Sequence, residues 1–342
     1  MEELIKGKNI LITGGTGSLG QALLRRIIPF SPRVVRVFSR DEAKQFDLQY
    51  EFGTYKNIRF LLGDVREKER ISRAMEGIDI VFHLAALKHV PACEYNPFEA
   101  VKTNIIGTQN IIDAAISNNV ERVIYTSSDK AISPTNTMGA SKLLAERLIS
   151  AADFYKGSCR TIFTAVRFGN VMGSRGSVIP LFKKQVQQGG PVTVTLPEMS
   201  RFMMSISEAV NLTLQAGSKA LGGEIFILKM PVLRLADLAE VIIEEFTPSC
   251  GYSPKDISIE EIGLRPGEKM YEELMTIEEA KLATEFTDMF AVAPTYAEKK
   301  YTYTDGLPAE HKTFSSHDVQ PLSKEEIRSL LQREQLLNRR NH

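Results

Sequence analysis

The sequence predicts an α/β protein with a doubly wound parallel sheet and a smaller, interleaved C-terminal domain. Short apolar runs rich in branched residues alternate with segments of helical spacing through the first half of the 342 residues. After Gly169 this rhythm loosens, and glycine, proline and basic residues become frequent up to Pro191. A strand–helix repeat of this kind implies right-handed crossovers, which place successive strands parallel in one sheet.

The elements follow in order along the chain. We predict strands at Asn9–Thr13, Val34–Phe38, Ile58–Leu62, Ile80–His83, Val123–Ser127 and Thr161–Arg167. We predict helices at Ser18–Pro29, Asp41–Phe52, Arg66–Met75, Phe98–Ser117, Asn136–Ala152, Ser207–Gln215 and Ala236–Phe246. A capping-box pattern from Ser323 to Glu326 predicts a last helix that ends near Leu337. The predicted regions are residues 1–170, 171–290 and 291–342.

Composition excludes several classes of protein. Lysine plus arginine and aspartate plus glutamate both total 42, which gives no support for a nucleic-acid or membrane-surface partner. Cys93, Cys159 and Cys250 are scattered and form no CxxC pair, which indicates a reducing compartment, and we predict no metal site. There is no signal-peptide pattern and no apolar run near the roughly 20 residues that span a bilayer. We therefore expect a cytoplasmic protein.

A glycine-rich segment joins the first predicted strand to the first long helix. Gly14, Gly17 and Gly20 have the spacing that permits a tight turn, close approach of a pyrophosphate, and packing of helix on sheet. The N-terminus of the following helix offers free N–H groups and a positive dipole end to phosphates. The segment therefore predicts a Rossmann-like dinucleotide site. Its predicted contact residues are Gly14, Thr16, Gly17, Ser18, Leu19 and Gly20.

The end of the second strand indicates which dinucleotide binds. Ser39 and Arg40 come first and Lys44 one turn later, and arginine pairs with a 2′-phosphate, so NADP is favoured over NAD. Asp41 keeps NAD open, although it is equally suited to cap a helix. Asp64 is predicted to contact adenine or to cap a helix. Further predicted cofactor contacts are Val65, Ala85, Ala86 and Lys142.

An acid–base pair follows the fifth strand. Asp129 and Lys130 lie directly after its predicted end, and ligands of such sheets bind beyond the carboxyl ends of the strands. Each side chain can tune the pKa of the other, which suits proton transfer. The alternative is a surface ion pair of little energetic value.

Distinctive stretches follow one another over about residues 8–275. They are ITGGTGSLG, FSRDEAKQ, GDVREKER, HLAALKHVPACEYNP, VKTNIIGTQN, SSDKAISPTNTMGASK, RFGNVMGSRGSVIPLF, SRFMMSISEAV and LRPGEKMYEELM. As a set they resemble the extended short-chain dehydrogenases/reductases. Within that group the chain is similar to the soluble UDP-N-acetylglucosamine 4,6-dehydratases of flagellin-glycan and capsule biosynthesis, and the tail also resembles the capsular members.

The resemblance implies an internal redox cycle. Hydride leaves C4 of the hexose for NADP and returns to C6 after water is lost, with Lys130 as the base at C5 and Asp129 as the acid for the 6-hydroxyl. Lys142 orients the nicotinamide ribose. The YxxxK signature of the superfamily is altered, because Met138 stands where the tyrosine base is usual. This substitution leaves Ser128, Lys142 or a water to carry the C4-hydroxyl proton.

The resemblance also implies the substrate contacts for UDP-N-acetylglucosamine or a related UDP-N-acetylhexosamine. Asn104 is expected to fix the backbone nearby. For His89 a structural role is the alternative, and for Glu268 it is a salt bridge that positions Arg265. The implied substrate-binding residues are Lys88, His89, Glu94, Asn170, Arg175, Ser177, Val178, Arg201, Arg265 and Glu268. The same resemblance implies a homo-oligomer, either a dimer or a hexamer.

Several activities stay open at this point. The length and the capsular-type tail favour inversion at C5 over a configuration-retaining 4,6-dehydratase. A UDP-hexosamine 4-epimerase stops at the 4-ketone, and a 5,6-dehydratase releases an exo-glycal without returning hydride. A non-catalytic NADP-binding sensor that has lost its tyrosine binds cofactor without sugar turnover.

Overall fold

The computed structural model describes residues 1–264, 267–296 and 301–338. Its strands are β1 (Asn9–Thr13), β2 (Val34–Ser39), β3 (Ile58–Leu62), β4 (Ile80–His83), β5 (Arg122–Thr126), β6 (Ile162–Arg167), β7 (Asn170–Val171), β8 (Val192–Val194), β9 (Ser200–Met204), β10 (Ile225–Leu228), β11 (Val232–Arg234), β12 (Ile259–Glu261), β13 (Glu273–Met275), β14 (Ala283–Glu285), β15 (Met289–Val292), β16 (Leu307–Pro308) and β17 (Phe314–Ser315). Its α-helices are α1 (Glu2–Ile5), α2 (Ser18–Ile27), α3 (Glu42–Glu51), α4 (Lys68–Met75), α5 (Val90–Tyr95), α6 (Pro97–Ala100), α7 (Gly107–Ser117), α8 (Thr137–Tyr155), α9 (Val178–Gln187), α10 (Ile206–Lys219), α11 (Leu235–Phe246), α12 (Ile277–Ala280) and α13 (Lys324–Arg333).

The described chain divides into two compact units, and each is built from several segments. Unit 1 comprises Met1–Phe168, Ala209–Lys229 and Met275–Thr313. Unit 2 comprises Gly169–Glu208, Met230–Leu274 and Phe314–His342. The predicted regions 1–170, 171–290 and 291–342 stay a prediction, because they divide the chain by expected function. The two units are defined by contacts instead, and each contains segments from several parts of the chain.

Unit 1 is built on a large sheet, which over the described residues has the strand order β16-β14-β15-β10-β6-β5-β4-β1-β2-β3. The pairs from β10 to β3 are parallel, so the predicted parallel core is confirmed. Thr13 lies beside both Phe38 and His83, and Thr126 lies beside Val166. The carboxyl ends of β1, β2, β4 and β5 therefore meet at one edge of the sheet.

The sheet also has an antiparallel margin that the sequence did not predict. β15 pairs antiparallel with β10 and with β14, and β14 pairs antiparallel with β16. These strands are only two to four residues long. Such short runs carry too few residues to show an apolar period, so their pairing depends on tertiary contacts.

The predicted helices are confirmed, with one interruption. The segment predicted as one helix from Phe98 to Ser117 consists of α6, a π-helical stretch at Val101–Ile106, and α7. Within the π-helical stretch, Asn104 accepts a hydrogen bond from Leu87 N at 2.8 Å and donates to Leu87 O at 3.0 Å. It also donates to Ser141 Oγ at 2.8 Å, which ties the segment after β4 to α8.

Unit 2 has its own core. Apolar side chains of α9, α11 and α13 pack with β8 and β11, among them Phe182, Leu238 and Ile327. The predicted capping box is confirmed, since Ser323 Oγ accepts from Glu326 N and the Glu326 carboxylate accepts from Ser323 N. No helix in the described ranges is both long enough and apolar enough to cross a bilayer.

Candidate active site

The turn between β1 and α2 leaves no room for a Cβ atom at Gly14 or Gly20. Gly14 has φ +67°, and a Cβ added there would lie 2.8 Å from the backbone nitrogen of Ala85. A Cβ on Gly20 would lie 2.7 Å from Gly14 O. Gly17 is the N-cap residue of α2, and Ser18 and Leu19 form its first turn. Bare backbone and a helix N-terminus at a sheet edge fit the close approach of a dinucleotide pyrophosphate.

Basic side chains that follow β2 and β3 form ion pairs with carboxylates. Arg40 Nη1 lies 3.4 Å from Asp64 Oδ2, and Arg66 Nη2 lies 2.6 Å from the same oxygen. Burial raises the pKa of Asp64, but the hydrogen bonds from Arg66 and the charge of Arg40 outweigh it, so the net pKa is lowered. Asp41 caps α3 by accepting from Lys44 N at 3.0 Å, and its carboxylate pairs with Lys44 Nζ. The Asp41 carboxylate, which left NAD as an alternative cofactor, is therefore engaged in capping α3.

The remaining predicted cofactor positions line the same edge. Thr16 Oγ1 lies 2.7 Å from Ser39 Oγ, which joins the glycine turn to the end of β2. Val65 is buried, and a Cβ on Gly107 would lie 2.7 Å from one of its methyl carbons. Ala85 and Ala86 follow β4 and are half-buried. The sheet thus brings segments from β1, β2, β3 and β4 to one place.

Asp129 and Lys130 form an ion pair just beyond β5. Lys130 Nζ lies 2.9 Å from Asp129 Oδ2 and 3.1 Å from Oδ1. The Asp129 side chain is 2% exposed and that of Lys130 is 32% exposed, so this is not a pair of freely solvated charges. Ser128 Oγ donates to Asp129 Oδ1 at 2.6 Å. A hydroxyl, a carboxyl and an amine are thus within proton-transfer distance of one another.

Lys142 lies on α8 and reaches back to the same strand. Its Nζ donates to Thr126 O at 2.7 Å and lies 4.6 Å from the centroid of the Tyr125 ring. Burial lowers the pKa of Lys142 to about 8, and the charge of Glu146 opposes this shift. Burial, followed by the charge of Lys142, lowers the pKa of His83 to about 3, so that imidazole is neutral.

Met138 is part of an apolar cluster. It is 3% exposed and packs with Cys93 and Ala100, against which Leu87 and Val90 also pack. A thioether in these surroundings neither donates nor accepts a proton at C4. The position where the superfamily signature has tyrosine is therefore filled by core packing.

The predicted sugar contacts after β4 are exposed. His89 is the N-cap residue of α5, and its pKa is lowered by partial burial and then by the charge of Lys88. Glu94 accepts a hydrogen bond from Thr137 N at 2.5 Å, and this bond lowers the pKa of Glu94. Glu94 thus helps to cap α8, a structural contact that the sequence did not indicate.

Unit 2 contains a cavity of about 250 Å³. The predicted substrate residues that line it are Asn170, Ser177, Val178, Arg201 and Glu268. Among the described residues, Ser177 Oγ and Glu268 Oε2 are buried without hydrogen-bond partners. Arg175 lies in the preceding turn and is exposed, whereas Arg265 lies outside the described residues. Residues far apart in sequence thus converge on one cavity, which has both polar and apolar lining residues.

Glu272 braces two of these residues, and sequence reasoning missed it. Asn170 Nδ2 donates to the Glu272 oxygens at 2.9 and 3.0 Å, and Arg201 Nε lies 3.4 Å from Oε1. Arg201 Nη2 also donates to Lys269 O at 2.9 Å, and its Nη1 to Met270 O at 3.3 Å. Glu272 lies within the stretch LRPGEKMYEELM, but nothing local in that stretch indicates which of its carboxylates contacts Asn170 and Arg201, so the fold reveals this role.

The chain is similar in sequence and in fold to known proteins. Residues 10–294 match the family model described as polysaccharide biosynthesis protein. The chain is 53% identical over 326 residues to the uncharacterized membrane protein MJ1061 of Methanocaldococcus jannaschii, covering 95% of this chain and 96% of that one. The crystal structure of Pen from Bacillus thuringiensis superposes with a TM-score of 0.92 at 54% identity, covering 98% of this chain and 99% of that one.

Two further relatives carry named activities. An inverting UDP-N-acetylglucosamine 4,6-dehydratase of Campylobacter jejuni is 42% identical over 295 residues, covering 85% of this chain and 84% of that one. A UDP-glucose 4-epimerase of Rickettsia rickettsii is 41% identical over 332 residues, covering 95% of each chain. With the parallel sheet, the glycine turn and the Asp129–Lys130 pair, these matches show that the chain belongs to the polysaccharide biosynthesis protein family, a branch of the extended short-chain dehydrogenases/reductases that contains nucleotide-sugar dehydratases and epimerases.

Proposed function

We propose that this protein is an NADP-dependent UDP-N-acetylhexosamine 4,6-dehydratase that inverts C5, with UDP-N-acetylglucosamine as its substrate. The observation that carries the proposal is the Asp129–Lys130 pair at the carboxyl edge of the sheet, in contact with the Ser128 hydroxyl. Dehydration needs both a base and an acid at adjacent carbons, and this pair supplies one of each. The inverting relative of Campylobacter jejuni supports the same assignment.

The glycine turn and the end of β2 hold the cofactor. Gly14, Gly17 and the first turn of α2 would bind the pyrophosphate. Arg40 and Lys44, which pair with carboxylates at the ends of β2 and β3, would bind the 2′-phosphate of NADP. When bound, the nicotinamide supplies the reversible removal of hydride from C4 of the sugar and its return to C6. The proton movements fall to side chains of the protein and to solvent.

Arg40→Ala should weaken NADP binding about 10- to 100-fold, because hydrogen bonds to a charged group contribute about 1.5–3 kcal/mol. NAD lacks the 2′-phosphate, so its affinity should change less than about threefold. Calorimetric titration of both dinucleotides measures the effect. Arg25→Ala, which removes an exposed guanidinium paired with Glu51, is the control and should change neither affinity. An equal loss for both dinucleotides would refute the assignment of Arg40.

Lys130 acts as the base in its neutral form, after its proton has passed to solvent, to which its side chain is 32% exposed. The neutral amine takes the C5 proton. Asp129 gives the 6-hydroxyl the proton that it received from the C4-hydroxyl, and water leaves. A proton from solvent is then added to the opposite face of C5, which gives inversion, and Lys130 returns its proton to solvent.

The C4-hydroxyl proton leaves through Ser128 because Met138 has no ionisable group. Ser128 Oγ already donates to Asp129 at 2.6 Å, so a hydroxyl relay from the sugar to the carboxylate needs no additional side chain. Lys142 contributes positive charge at the end of β5 and orients the nicotinamide ribose.

Met138→Leu should keep kcat within about threefold and cost less than about 1.5 kcal/mol of stability, since the substitution conserves volume. Met138→Ala should lose about 2–5 kcal/mol, because it leaves a cavity beside Cys93 and Ala100. Turnover assays with denaturant unfolding of both variants measure these effects. A leucine variant that folds normally but loses more than about 100-fold in kcat would mean that the thioether takes part in the reaction.

The cavity of unit 2 binds the UDP moiety. Asn170 and Arg201 present polar groups held by Glu272, and Ser177 and Glu268 offer unpaired oxygens of described residues to the nucleotide. Guanidinium contacts suit a diphosphate, and a carboxylate suits the ribose hydroxyls. Arg265 is proposed as the second phosphate ligand on the resemblance alone.

Incubation with NADP and UDP-N-acetylglucosamine in deuterated water, followed by NMR, tests the proposal. A 4-keto-6-deoxy sugar with deuterium at C5 supports it, and the coupling at C5 reports inversion or retention. A 5,6-unsaturated sugar would show dehydration without return of hydride to C6. Cofactor binding without any sugar product would instead indicate a sensor.

A 4-epimerase is the second candidate, because the relative of Rickettsia rickettsii with that name covers 95% of the chain. Met138 weighs against it, since an epimerase relies on the tyrosine of the signature to move the C4-hydroxyl proton in both directions. In the same experiment an epimerase yields the C4 epimer and incorporates no deuterium at C5.

A further inference from the structure

Unit 1 contains a buried ion cluster that the proposed chemistry does not use. Arg167, at the end of β6, donates to both oxygens of Glu146 at 2.5 and 3.1 Å. It also donates to both oxygens of Glu279 at 2.9 Å. The side chains of Arg167 and Glu146 are fully buried, and that of Glu279 is 11% exposed. One buried guanidinium thus faces two carboxylates, and the charge of the exposed Arg147 also acts on Glu279.

Lys142 lies one helical turn from the Glu146 carboxylate of this cluster. Lys142 and Glu146 are both buried and lie four residues apart on α8, a spacing that places their side chains on the same face of the helix. Lys142 Nζ is held at Thr126 O, and Thr126 is the register partner of Val166, the residue before Arg167.

Two further titratable groups beside Lys142, from β4 and β5, carry no charge at neutral pH. His83, from β4, is neutral because burial lowers its pKa to about 3. Tyr125, from β5, keeps its proton because burial, and then the charge of Glu146, raise its pKa. Burial lowers the pKa of Lys142, and Glu146 is the carboxylate that acts in the opposite direction.

We propose that Glu146, held in place by Arg167, is a positioning residue that keeps Lys142 charged at the carboxyl end of β5. The catalytic value of that charge rests on the proposed function, whereas its dependence on Glu146 does not. Arg167 fixes the Glu146 carboxylate with two hydrogen bonds. That carboxylate is thereby held one helical turn from Lys142.

Glu146→Gln should lower the pKa of Lys142 by about one unit or more, because an opposite charge nearby typically shifts a pKa by about 1–3 units. NMR titration of lysine labelled with ¹³C at Cε, without substrate, measures this pKa, and Lys142→Arg assigns the signal. Glu279→Gln is the matched control, since it removes the other carboxylate from the same arginine. It should shift the pKa of Lys142 by less than about 0.3 units.

An unchanged pKa in Glu146→Gln, or equal shifts in both glutamine variants, would overturn the proposal. If Glu146→Gln does not fold, Glu146→Asp replaces it. The aspartate keeps the charge but moves it away from Lys142, so a partial fall in pKa is expected and no fall contradicts the proposal.

The pH dependence of turnover provides the second measurement. In Glu146→Gln, Lys142 should lose its charge at a lower pH than in the wild-type protein. The basic limb of the plot of kcat against pH should therefore shift to lower pH, whereas Glu279→Gln should stay close to wild type. A shifted titration in a protein without sugar turnover would support the role of Glu146 and refute the proposed function. Normal turnover with an unshifted titration would refute the role of Glu146 alone.

Discussion

Lys130→Ala should lower kcat for dehydration by about 10²–10⁴-fold, the contribution of a general base, while leaving NADP affinity within about threefold. The variant removes the proposed base at C5 and also the partner of Asp129, whose side chain is 2% exposed. Product formation followed by NMR or coupled chromatography measures the loss, and fluorescence titration measures cofactor affinity. If turnover is lost while cofactor binding is retained, Lys130 acts in the reaction and is not needed for folding.

Lys68→Ala is the control for this variant. Lys68 is 69% exposed and pairs with Asp113, so the substitution removes a lysine from an ordinary surface ion pair. It should retain full turnover. A Lys130→Ala protein that keeps more than about a tenth of wild-type kcat would show that Lys130 is not the base, since a general base contributes more than that.

Gly14→Ala should weaken NADP binding by at least about 100-fold and destabilise the protein by about 1–3 kcal/mol. Gly14 has φ +67°, and the new methyl group would lie 2.8 Å from the nitrogen and 2.9 Å from the Cα of Ala85. Because both atoms belong to the backbone, the turn must move, and the N–H groups aimed at the pyrophosphate move with it. Fluorescence titration with NADP and thermal unfolding measure the two effects.

Gly77→Ala separates the clash from the backbone conformation. Gly77 has φ +66°, nearly the same as Gly14, but no described atom lies within 4 Å of a Cβ placed there. It should therefore show only the cost of a left-handed alanine, about 1–2 kcal/mol, with NADP affinity unchanged. If the two variants bind NADP equally well, the glycine turn is not the pyrophosphate site.

The buried charges show why part of the site was not predictable. Glu146 follows Lys142 by four residues, so helical spacing could have paired them, but acidic residues at that spacing are usually solvated. Arg167 and Glu279 are 112 residues apart, and nothing local in the sequence indicates their contact. Burial, which gives this cluster its effect on Lys142, is a property of the folded chain.

The sequence by itself determined the parallel sheet, the glycine turn, the absence of the usual tyrosine, and the adjacency of Asp129 and Lys130. Each of these is a local pattern, in which spacing along a strand, turn or helix dictates geometry. Tertiary structure decided the rest. It placed Met138 among Cys93 and Ala100 and added the antiparallel margin of the sheet. These features depend on contacts between residues distant in sequence, which no local period encodes.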